Sequence, residues 1–126
     1  MGKVYHNPNQ EMLEELLKYY QIDSLDWLSY PITKKNILTL HHIIKAADGG
    51  PLTMDNSAIL TKSSHRALHI CEARDFILYS EINAFFKAII AYRLAMEDQL
   101  AKMALNDEFR KESRGYKLAL TRTLYK

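Results

Sequence analysis

Four of the chain's five histidines fall between positions 41 and 69: His41, His42, His65 and His69. Imidazole is the commonest protein metal ligand and the one side chain that titrates near neutrality without help. His65 and His69 are four apart. On a helix that spacing sets both rings on one face, about one turn apart, where they can share a cation. Such a pair alone is a weak signal, often accidental. A third imidazole, His41, stands in an apolar run that reads as a strand. A hairpin returning through Asp48-Gly49-Gly50-Pro51 would bring it against the helix. Three protein ligands leave a position open for water or substrate, whereas closed structural zinc sites generally use four. A cation held by these three therefore points to catalysis. Imidazoles suit zinc, nickel, cobalt or manganese better than magnesium.

Adjacent side chains of a strand point to opposite faces, so His42 is not expected to share a cation with His41. It reads either as a surface histidine or as a general base standing nearby, with a proton affinity suited to neutral pH. Asn56 closes the glycine loop, where its amide can tie backbone groups together. As a turn former or as a brace, it would hold the loop that carries the base.

The elements that must position these residues show in the apolar spacing. Met12, Leu13, Leu16, Leu17 and Tyr20 predict a helix over about 10–21. Asn7-Pro8-Asn9 is its capping turn, and Glu11, Glu14 and Glu15 suit the early dipole. Residues 23–28 read as a short turn or helix that places Trp27 as a core anchor, and 31–36 as a loop. A strand over 37–44, a glycine loop over 45–56, a strand over 57–61 and a helix to about Arg74, capped by Thr61 or Ser63, follow in order. From 76 to about 104, Ile82, Phe85, Phe86, Ile89, Ile90, Leu94, Leu100 and Met103 form the stripe of a long helix. That stripe packs on the preceding elements or offers part of itself to a second copy, as a homodimer interface; core packing is the commoner outcome. Residues 106–126 read as a weaker basic helix, interrupted near Ser113-Arg114-Gly115, serving as a DNA-facing arm or a solvated tail.

At 126 residues, 48% hydrophobic and 25% charged, the chain has the size and make-up of one soluble domain with one core. Its formal charge of +2 is uneven: residues 107–126 hold six Lys/Arg against three Asp/Glu, residues 1–36 four against five. One cysteine, Cys71, rules out an internal disulfide and the cysteine-based zinc modules. No apolar run of signal-peptide or membrane-spanning type is visible, so a reducing intracellular setting is expected.

The succession LHHI, DGG, MDN and HRALH resembles the HNH motif, also called ββα-metal or His-Me finger, of a nuclease family. The likeness is greatest to the nuclease domains of colicin-type bacteriocins, with their double histidine, asparagine and two further histidines four apart. The wider context is similar to small standalone HNH proteins of phages and mobile elements. The resemblance covers roughly 37–75, between a helical segment over 1–36 and another over 76–126. It implies an α+β, mostly helical fold in which a hairpin-plus-helix core is flanked by an N-terminal helix and long C-terminal helices. It further implies that His41, His65 and His69 hold one divalent cation (zinc, nickel, manganese or magnesium), that His42 activates water, and that Asn56 braces the loop and the base. The partner would be DNA, with no membrane and no nucleotide cofactor, in the cytoplasm of a bacterial or phage-infected cell. The bacteriocin pattern has a glutamate two residues before the double histidine, where this chain has Thr39. Its phosphate-assisting arginine has no clear counterpart, and Lys35, Lys62 and Arg66 are the candidates. The rival expectation is a metal-stabilised DNA-binding or packaging-accessory module that does not cleave.

Overall fold

The computed structural model describes residues 7–95 and 105–125. The fold is α+β and mostly helical: α1 (Pro8–Tyr19), β1 (Leu38–His42), β2 (Ser57–Thr61), α2 (Lys62–Arg74), α3 (Phe76–Ala95) and α4 (Asp107–Leu124). Among the described residues the sheet has two strands, and no helix is long and apolar enough to cross a membrane. The expected membership of Leu100 and Met103 in the α3 stripe lies outside the described residues.

Asn7 caps α1, its side-chain oxygen accepting from the Gln10 amide at 3.2 Å, and Pro8 opens the helix where a missing N–H costs nothing. Leu13, Leu16 and Tyr20 enter the core. Trp27, fully buried as expected, lies 5.1 Å from the Tyr20 ring and 6.0 Å from Phe86. Burying side chains of this size contributes about 1.5–3 kcal/mol each.

The strands pair antiparallel, with His41 opposite Ala58 and His42 opposite Ser57. β1 is shorter than the expected 37–44, for an identifiable reason. Beyond His42 the Ile43 amide still donates in register to the Asn56 carbonyl, but the Asn56 amide turns back to the Thr53 carbonyl instead of returning the bond, and the Ile44 amide donates to the Asn56 side chain. The loop between the strands then turns sharply through Gly49, whose φ of 84° lies in the left-handed region. At Gly50 an added Cβ would lie 1.8 Å from the carbonyl oxygen of Ile44, so no side chain fits.

Thr61 caps α2 by accepting from the Ser64 amide at 3.2 Å. A second anchor was not visible in the sequence. Asp26 is fully buried, and its carboxylate accepts from the amides of Leu28, Tyr30 and Thr61 and from the Ser64 hydroxyl. Four such bonds offset the cost of burying the charge. They also pin the end of β2 and the start of α2 to the 26–30 turn, which fixes where the histidines of α2 begin.

In α3, Ile82, Phe85, Phe86, Ile89 and Ile90 are buried in the core, while Leu94 is exposed. α4 departs from expectation. It runs unbroken through Ser113, Arg114 and Gly115. A mid-helix glycine costs about 1 kcal/mol, which the packing of the helix outweighs. Ser113 is buried and donates to the Trp27 carbonyl, Arg110 donates to the Asp26 carbonyl, and Lys117 to that of Ser29. At the far end Arg74 of α2 donates to the carbonyls of Thr123 and Leu124. The segment is therefore packed into the fold rather than a solvated tail, and two of its cations, Arg110 and Lys117, are committed to internal contacts.

Candidate metal centre

β1 sends Thr39 and His41 from one face toward α2, and α2 presents His65 and His69 one turn apart. The result is a convergence. His41, His65 and His69 each offer a ligand atom, all within 4.8 Å of one another. Ring centroids are 5.3 Å apart for His41–His65, 6.1 Å for His41–His69 and 4.7 Å for His65–His69. Three imidazoles around one zinc, with bonds of about 2.1 Å, set their centroids about 5 Å apart. The three residues therefore fit a single cation, with small side-chain adjustment.

Their surroundings differ. His41 is 2% exposed, packs against Phe86 at 5.7 Å between centroids, and its Nε2 meets Oδ1 of Asn83 at 2.8 Å. Burial pushes its pKa down to about 4; the Asn83 bond opposes this, and the charges of the neighbouring histidines add to it. His65 is half-buried, and its Nδ1 lies 3.0 Å from the Thr39 hydroxyl. Burial, with help from His69 and His42, lowers its pKa to about 4 as well. Both rings are thus neutral at pH 7, the form that binds metal. His69 is exposed. Its Nδ1 faces Glu72 at 3.7 Å, and Glu72 is ion-paired to Lys45.

His42 lies outside the three-ligand group. It is half-buried at the end of β1, close enough for its charge to depress both His41 and His65. Asn56, 3% exposed, sits inside the loop. Its amide nitrogen donates to the carbonyls of Ile44 (3.0 Å) and Pro51 (2.9 Å), and its oxygen accepts from the Ile44 amide at 2.8 Å. One side chain thus ties together both limbs of the loop that follows His42.

The candidate phosphate-binding cations scatter. Lys62 is exposed and, three residues before His65, shares that face of α2. Lys35 is exposed in the turn whose Asn36 accepts from Ser63 at the start of α2. Arg66 lines a separate cleft with Tyr30, Ala67 and Leu124. Lys45, not singled out from sequence, reaches the histidine cluster through Glu72. Asn83 was also missed, because it lies on α3, well past the stretch that drew attention. The only signal for it was a polar residue one turn before Phe86 in an apolar helix.

Comparison with family models, curated proteins and solved structures finds no match for this chain.

Proposed function

We propose that the chain is a metal-dependent endonuclease of the HNH type that hydrolyses phosphodiester bonds in DNA. One observation carries the reading: His41, His65 and His69 bring a ligand atom each from β1 and α2 to within 4.8 Å of one another, and the residue after His41 in β1 is His42. The order of strand, glycine loop, strand and helix supports it.

His41, His65 and His69 would hold the divalent cation, whose charge, when bound, stabilises a non-bridging phosphate oxygen and the departing 3′ oxygen. His42 takes the proton from the attacking water. Asn56 holds the loop after His42 and so keeps the base aligned. Lys62, Lys35 and Lys45 supply positive charge along the approach of the backbone, whereas Arg66 belongs to the other cleft. Products carry 5′-phosphate and 3′-hydroxyl ends. One site cuts one strand, so nicks accumulate unless two copies act together.

Supercoiled plasmid incubated with zinc, nickel, manganese or magnesium tests this directly. The expected product is nicked circles, and His42→Ala should retain metal and DNA while cutting about 10²–10⁴-fold more slowly. Cutting at near wild-type rate by that variant removes His42 as the base. Intact plasmid with every cation, together with a salt-sensitive gel shift, replaces the nuclease by a DNA-binding module without turnover.

A further inference from the structure

We infer that Asn83 and Thr39 preset the protons of the two inner histidines, so that the cluster takes a cation through unlike nitrogens: Nδ1 of His41 and Nε2 of His65. The inference rests on the metal-binding part of the reading above and is independent of DNA cleavage. It follows from counting protons. Thr39 has a single hydroxyl hydrogen, and that hydrogen is donated to the carbonyl of Leu60 at 2.9 Å. The one arrangement that satisfies both contacts has the hydroxyl donating to Leu60 and accepting from His65, which puts the hydrogen of the 3.0 Å contact on Nδ1 of His65. Nε2 of that ring keeps its lone pair.

For His41 the same accounting gives the opposite ring atom. Oδ1 of Asn83 carries no hydrogen, so the 2.8 Å contact requires the proton on Nε2 of His41, leaving the lone pair on Nδ1. An amide turned the other way round would put a donor against Nε2 and a proton on Nδ1, and His41 would then have no nitrogen free for a cation. The outer partner of a ligating histidine fixes its tautomer and orientation, and losing it typically costs 10–100-fold in metal affinity. Among the described residues His69 has no such partner: 3.7 Å to Glu72 is too long for a hydrogen bond. The cluster is thus two preset ligands and one adjustable ligand. The site also extends beyond β1 and α2 onto α3, which supplies Asn83.

Long-range proton–nitrogen NMR of ¹⁵N-labelled protein at pH 7 reads each histidine's tautomer. Without metal, His41 should carry its proton on Nε2 and His65 on Nδ1. Added zinc should perturb Nδ1 of His41 and Nε2 of His65. Asn83→Leu should give His41 mixed tautomers and bind zinc about 10–100-fold more weakly, with Asn83→Asp restoring both. Thr39→Val, which keeps the strand's shape, should do the same to His65, with rescue by Thr39→Ser. The inference is overturned if His41 carries its proton on Nδ1, if zinc sits on its Nε2, or if both Asn83→Leu and Thr39→Val bind zinc like the wild type. Zinc uptake without DNA cleavage would leave it standing and end only the nuclease reading. Failure of the wild type to bind zinc would overturn the metal centre and, with it, both.

Discussion

His41 and His69 face the same point from walls of opposite character. Behind His41 are the Phe86 ring and the Asn83 amide, and water hardly reaches it. Behind His69 are Glu72 and Lys45 at the surface, and half of its side chain is open to solvent. The inner wall is dry, neutral and hydrogen-bonded; the outer wall is wet, charged and loosely held. A centre built this way has its geometry set from the inside and its traffic handled from the outside. On the proposed reading, cation and phosphate both arrive past His69.

The contrast is sharpest when one ligand is removed from each wall. His41→Ala should abolish tight zinc binding, beyond the 100-fold upper end for losing an outer partner. It should also cost about 2–4 kcal/mol of stability, since the emptied space lies in the core. Calorimetric titration and chemical denaturation read the two effects. His69→Ala should weaken zinc binding as well, but leave the metal-free protein within about 0.5 kcal/mol of wild type. Equal stability losses would erase the distinction between the walls.

Acid separates them next. Unfolded histidine titrates near 6.5, while in the fold burial holds His41 and His65 at about 4. Between those values the unfolded chain binds protons that the folded chain refuses, so stability rises with pH across this window. The metal-free protein should therefore hold its stability above pH 6.5 and lose it progressively as pH falls toward 4. Thermal melts across that range should show the loss, and it should shrink in His41→Ala. The smallest effect belongs to the outer wall: Lys45→Ala should leave folding unchanged and weaken DNA binding about threefold or less, with a shallower salt dependence in gel shifts.

The parts of this architecture that local spacing encodes could be read from the sequence. β2 and α2 lie where the residues between Ser57 and Arg74 place them, and the three imidazoles follow from one strand position and one helical repeat. What escaped depends on distant partners. Asn83 meets His41 across 42 positions, and Asp26 meets Thr61 and Ser64 across 35 and 38. Asn and Asp are ordinary turn and surface residues, and nothing nearby in the chain marks these two as buried or engaged. The break expected in α4 failed for a related reason: Ser113 and Gly115 look like helix breakers by type, yet Ser113 is buried against the 26–30 turn. The expected length of β1 failed because Asn56 turns its own amide to Thr53 and its side chain to Ile44 and Pro51, which ends the pairing one residue past His42.

The two neighbouring glycines of the loop after His42 answer to different constraints. Position 49 has open space around it and is restricted only by its backbone angle, so asparagine, which tolerates that angle, is an acceptable substitute. Position 50 has no such latitude: even a methyl group would strike the Ile44 carbonyl. A saturation library selected for activity should accept replacements at the first and none at the second. The chemistry proposed for this chain can thus be silenced by one carbon atom, added to a residue that takes no part in it.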